Sequence, residues 1–234
     1  MMQPYFDFFD LRDFVRRTAV MLYQEKKTLP DGRPLLELHM TNTNVVPVLA
    51  FGSTSLDLEA EYGSKDFQDR FTEGYLRSCT LGLQSGCIPA ILIEISGKKR
   101  DFVTRTFLAV TLAYDLPFVM NCGGLTRTWH NTWHKLYSWG YSTEQVKVTP
   151  CWEKNSVTAS CPDWRLTTYS KKSAGETVIA VCSFGDTANG TIDVSHTGAK
   201  SCTDWESGKT LPIRNGKVLL DLPRHDFKLL LLKK

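Results

Sequence analysis

The residues able to carry chemistry stand where apolar runs end. His39, with Thr41, Asn42 and Asn44, falls at the end of residues 35–40, and Asp57 and Glu59 follow residues 46–51. Glu94 and Ser96 close residues 88–95, and Asn121 closes residues 117–121. In parallel barrels the reacting groups project from the carboxyl ends of strands. Carboxylates and hydrogen-bonding side chains there suit a sugar, whereas a phosphate calls for a glycine-rich loop and a lysine. Asp57 and Glu59, separated by one residue, are close enough to enter one pocket and push their pKa values apart, as an acid and its orienting base require. The same Asp-x-Glu spacing also suits an exposed loop. Glu94 sits inside Ile91-Leu92-Ile93-Glu94-Ile95, where an unpaired carboxylate is costly, so it is expected to be paired or functional.

Other residues carry weaker chemistry. His130 and His134 have metal-ligand spacing on a helix, but neither the following Glu nor a third ligand accompanies them, so no metal and no cofactor are assigned. Trp129 and Trp133 belong to a stretch, 129–141, with five aromatics that can stack on sugar rings or pack between structural units. His39, on an apolar run, has a core histidine as its alternative. Asn189-Gly190-Thr191 reads either as a glycosylation sequon or as a hairpin turn.

Composition narrows the classes. With 28 Lys plus Arg against 25 Asp plus Glu, the formal charge is only +3, so nucleic acid is not an expected partner. No apolar run approaches the ~20 residues that span a bilayer, and residues 1–10 have no signal-peptide pattern. Seven cysteines without a Cys-x-x-Cys pair read mostly as small buried hydrophobes, with a Cys151–Cys161 bridge open to an oxidising compartment.

The elements that must position these groups fall into two parts. Leu11, Phe14, Val15, Thr18 and Leu22 share a helical face, followed by strand-like runs at 35–40 and 46–51. Leu76, Cys79 and Leu83 mark a helix closed by Gly86 and feeding a buried strand at 88–95. Asp101 then caps a helix carrying Phe102, Thr106, Ala109 and Val110 before residues 117–121. Alternating helix and buried strand predicts a parallel sheet covered by helices. From residue 144 the period changes to two, with turn residues such as Gly175, Gly190, Gly208 and Gly216, which predicts about eight strands in an antiparallel sandwich. The expected domains are 1–143, α/β, and 144–234, all-β.

Leu38-His39-Met40-Thr41-Asn42, Pro47-Val48-Leu49-Ala50-Phe51, Asp57-Leu58-Glu59 and the Gly82-x-x-x-Gly86 helix end resemble, as a set, the last half of the catalytic barrel in bacterial glycoside hydrolases related to the family 123 β-N-acetylgalactosaminidases. The likeness covers residues 5–125, and Leu222-Pro223-Arg224-His225-Asp226-Phe227 is similar to the sandwich that closes many such enzymes. In that group the acidic pair is commonly preceded by Gly, where this chain has Leu58. The resemblance implies about four βα units of a (β/α)8 barrel, hydrolysis of an O-glycosidic bond, and a periplasmic or secreted protein. It also implies a route in which the substrate's own acetamido group is the nucleophile. Asp57 and Glu59 are then the catalytic candidates, and His39, Asn42, Glu94, Asn121, Trp129 and Trp133 the substrate-binding ones. A non-catalytic carbohydrate-binding module using the aromatics at 129–141, or a structural module, is the alternative. Four strands leave an open barrel edge, which predicts self-association.

Overall fold

The computed structural model describes residues 8–39, 46–59, 67–79, 86–93, 100–116, 119–121 and 127–234. Contacts divide the chain into two compact units. The first is Met1–Glu61, Thr72–Glu94 and Phe118–Cys122; the second is Tyr62–Phe71, Ile95–Pro117 and Gly123–Lys234.

In the first unit, helix α1 (Phe8–Gln24) leads to strand β1 (Glu37–His39), the short helix α2 (Val46–Leu49) and strand β2 (Thr54–Glu59). Helix α4 (Glu73–Cys79), strand β3 (Ile88–Ile93) and strand β4 (Val119–Asn121) follow. The sheet runs β1-β2-β3-β4 with every neighbour parallel, as the alternating pattern predicted. Its core brings Val15 of α1 against Leu38, Val48, Leu49 and Cys87. At Gly52 the backbone passes close to Leu38: a Cβ there would stand 2.7 Å from Leu38 Cδ1, so the Leu38 side chain would have to shift. Beside it, the Ser53 hydroxyl both accepts from Leu36 N and donates to Leu36 O, each at 3.2 Å, joining the start of β2 to the chain before β1.

One expected strand is a helix. Residues 46–51 form α2 and a turn, closed by Ala50 N donating to Val46 O at 3.1 Å and Gly52 N to Leu49 O at 2.9 Å. The cause is Pro47, which lacks a ladder donor and has the φ of a first helical turn. The strand that takes its place is β2, whose Ser and Thr residues hide it from an apolar-run criterion although Ser53, Thr54 and Ser55 are buried.

The second unit opens with helices α3 (Phe67–Arg70), α5 (Arg100–Ala113) and α6 (Arg127–Trp139). Ten strands follow. The six-stranded sheet has the order β11-β10-β14-β8-β7-β5, from β5 (Val146–Thr149), β7 (Trp164–Lys171), β8 (Glu176–Ser183), β10 (Ser201–Asp204), β11 (Thr210–Leu211) and β14 (Phe227–Lys233). The four-stranded sheet has the order β12-β13-β9-β6, from β6 (Thr158–Ala159), β9 (Asn189–Asp193), β12 (Ile213–Arg214) and β13 (Lys217–Asp221). All pairings in both sheets are antiparallel, which gives the expected sandwich with two more strands than the eight counted from sequence.

Period-two alternation assigns the faces of the larger sheet. Leu166, Ile179, Val181, Leu230 and Leu232 enter the core shared with Ile192, Val218 and Leu220. Their alternates Tyr169, Val178, Ala180, Cys182 and Leu229 are also buried, on the face that α5 covers. α5 is accordingly buried nearly all round, from Thr104 to Ala113 with Arg105 half-buried. The Thr167 hydroxyl caps its last turn by donating to Ala113 O at 2.5 Å. Arg105 ties α5 to the sandwich: Nε donates to Asp226 Oδ1 at 2.6 Å and Nη1 to Glu206 Oε1 at 2.9 Å, with the guanidinium 4.6 Å from the Phe227 ring centroid. Residues 100–116 and 127–139 therefore pack with the all-β part.

Two smaller expectations change here. Asn189-Gly190-Thr191 lies in β9, paired through Gly190 with Leu220, and is not a hairpin turn. Gly190 is needed because a Cβ would come 2.9 Å from the buried Trp164 ring. Cys151 and Cys161 are not joined by a disulfide bridge.

Candidate functional site

The parallel sheet presents one set of strand ends. β1 finishes at His39, whose register partner is Leu56, and Glu59 at the end of β2 stands beside Leu92. Ile93 stands beside Asn121, the last residue of β4. His39, Asp57, Glu59 and Asn121 are thereby gathered at the carboxyl ends of adjacent parallel strands, where sheets of this kind place their reacting groups. Strands lie about 4.8 Å apart, so the end of β2 is one spacing from β1 and about 10 Å from β4. Asn42 and Glu94, with Thr41, Asn44 and Ser96, lie outside the described residues.

Asp57 and Glu59 are strand residues, a correction to their expected place in a loop after residues 46–51. The ladder to β3 pairs Leu56 with Ala90 and Leu58 with Ile91, so the register shifts at Asp57. This is a bulge, which leaves one backbone position without a ladder partner, sharpens the local twist and recurs beside active sites. It interrupts the strict alternation that would treat Asp57 and Glu59 as equivalent neighbours. His39 is exposed, so it is not a core histidine.

Trp129 and Trp133 have a different use. They are 6% and 5% exposed, on α6 in the other unit. Trp129 stacks on Phe107 at 5.3 Å, and Trp133 lies 5.7 Å from both Trp129 and Tyr141. Burial of both indoles makes them packing groups, the second of the two roles open to the aromatic stretch. His130 and His134 are exposed on the same helix.

Sequence reasoning passed over a carboxylate in that aromatic layer. Asp115 follows α5 with φ +51, a left-handed conformation that Asp tolerates. Its Oδ1 accepts from Tyr141 Oη at 2.9 Å and Tyr169 Oη at 3.3 Å. Burial pushes the Asp115 pKa up, and the two phenol donors partly oppose that. Burial first, and then the Asp115 charge, push both tyrosines up. The only sequence signal was the helix-ending position before Leu116-Pro117.

A carboxyl whose pKa is raised by folding binds its proton more tightly in the native state. Its contribution to stability is complete below the ordinary carboxylate pKa and is lost as pH rises through the folded value. Asp115→Asn keeps an oxygen for both phenols and removes the charge. The melting temperature of wild type minus that of Asp115→Asn is expected to fall as pH rises above about 4, the ordinary carboxylate value. Parallel profiles above that pH would show that Asp115 is not desolvated.

No family model matches the chain, and no curated protein matches it. Among solved structures, the chain is similar to a family 27 β-L-arabinopyranosidase from Geobacillus stearothermophilus, at 12% identity and a TM-score of 0.55, over 94% of this chain and 54% of that one. An Asp-to-Ala form of that enzyme in complex with arabinose matches at 13% identity and a TM-score of 0.54, with the same coverage. An α-amylase from Anoxybacillus matches at 12% identity and a TM-score of 0.50, over 95% of this chain and 56% of that one. The chain spans about half the length of these structures. These neighbours are glycoside hydrolases that combine a TIM barrel with a C-terminal β domain, and at such identities the likeness is one of fold.

Proposed function

We propose that the chain is the C-terminal portion of a glycoside hydrolase: about four βα units of a (β/α)8 barrel within residues 1–143, followed by a sandwich domain at 144–234. The observation that carries this reading is the in-order parallel sheet β1-β2-β3-β4, with a bulge at Asp57 where β2 reaches its carboxyl end. Asp57 and Glu59 serve as the catalytic carboxylates, one supplying a proton and the other orienting the reacting group or stabilising oxocarbenium charge. His39, Asn42, Glu94 and Asn121 hold sugar hydroxyls around them. Kinship with the family 123 β-N-acetylgalactosaminidases, and participation of a substrate acetamido group, are the finer form of the same proposal.

A complete barrel has eight strands in ~250 residues, and half of one leaves surfaces to be covered. Among the described residues β1 and β4 are the edges of the sheet, and Leu11, Phe14 and Met21 on α1 are 40%, 68% and 54% exposed. Such edges and apolar faces promote self-association of the isolated chain. The test is an assay of the 234-residue chain, alone and within the longer polypeptide that the proposal implies, on aryl glycosides including an aryl N-acetyl-β-galactosaminide. Turnover by the longer polypeptide and little by the shorter chain is expected. An inactive longer polypeptide on every aryl glycoside contradicts the assignment.

A further inference from the structure

We propose a second carbohydrate-binding site in the second unit, in the cavity between α6 and the turn that follows β10. The cavity has a volume of about 360 Å³, within the ~300–1,000 Å³ of small-ligand sites, and suits a mono- or disaccharide. Thr128, Asn131 and Lys135 reach it from one face of α6, joined by His134, and Trp205 and Glu206 reach it from the turn.

The turn is fixed before any ligand arrives. The buried Asp204 carboxylate accepts from Glu206 N at 3.0 Å and Ser207 N at 3.2 Å, and Trp205 N donates to Leu229 O at 2.7 Å. The Trp205 indole is held edge-on by Trp139, with centroids 6.0 Å apart. Such an anchored aromatic offers an apolar body to the C–H face of a sugar at little entropic cost.

The charged groups around the cavity are already engaged within the protein. Glu206 is gripped by both Arg105 Nη atoms, at 2.9 and 3.1 Å. Lys135 Nζ donates to Trp205 O and lies 5.4 Å from its ring centroid. The groups left over are the Thr128 hydroxyl, the Asn131 amide and the His134 imidazole, which make no hydrogen bond among the described residues. They are donors and acceptors of the kinds that sugar hydroxyls bond to.

The site does not depend on the proposed hydrolysis, and one titration separates the two. The 234-residue chain is titrated by saturation-transfer NMR with maltotriose, methyl β-D-galactopyranoside and N,N′-diacetylchitobiose, with methyl phosphate as the anionic control. At least one saccharide is expected to bind saturably in the millimolar range. Asn131→Ala with His134→Ala, both on exposed residues, is expected to weaken it about tenfold or more, and Trp205→Ala likewise, while Asp57→Asn leaves it unchanged. Saccharide binding lost on Asp57→Asn but not in the Asn131/His134 variant places the sugar on the parallel sheet and overturns this proposal alone. Absence of saccharide binding, or phosphate binding that the Asn131/His134 variant loses, also overturns it.

Discussion

Phe107→Ala is expected to destabilise the second unit by about 3–5 kcal/mol, lowering its melting temperature by about 6–20 °C. Phe107 is 0% exposed, and its ring stacks on Trp129, so truncation opens a cavity that the surrounding α5 residues are too confined to fill. Phe102, on the same helix but 43% exposed, is the control: its replacement by Ala should stay within about 0.5 kcal/mol. All six tryptophans lie in this unit, so tryptophan fluorescence reports its melting without interference from the parallel sheet. Equal melting for the two variants would mean that Phe107 is not packed against α6 in the core of this unit.

Asp57→Asn and Glu59→Gln, each made in the longer polypeptide, are expected to lower kcat on an aryl glycoside by about a hundredfold or more, with little change in melting temperature. Electrostatic stabilisation of an oxocarbenium-like transition state by one placed charge is worth ~3 kcal/mol, which sets that factor. The amide replacements keep shape and hydrogen-bonding capacity, so folding loses little at a strand's end.

The parallel part was legible because its strands obey two strong signals. Residues 88–93 are continuously apolar, and Gly86, with φ +82, ends the preceding segment as a left-handed glycine does. The sandwich was legible for the matching reason, a period of two interrupted by glycine turns. Residues 46–51 misled because a short apolar run fits a buried helix as well as a strand, and Pro47 decides between them. β2 was missed because its buried positions are Ser and Thr, whose burial is settled by neighbours such as Leu36 rather than by their own hydropathy.

Partner choice was the least legible property. The helical period of 100–113 correctly indicates a helix, yet nothing in it says that the buried face meets β7, β8 and β14. The aromatic series at 129–141 likewise declares an apolar face without saying whether sugar or protein covers it. Its i, i+4 indole pair turned out to meet Phe107 and Tyr141. Asp115 was invisible because its partners, Tyr141 and Tyr169, are 26 and 54 residues away.

The most direct measurement is the release of aryl alcohol by the longer polypeptide carrying Asp57→Asn and Glu59→Gln together, compared with wild type at matched melting temperature. A glycoside hydrolase whose carboxylates stand at the end of β2 predicts turnover by wild type and a double variant at the uncatalysed background. Wild-type rates in the double variant would contradict it, moving the chemistry off β2 and leaving Asp57 and Glu59 as strand-end residues without a part in the reaction.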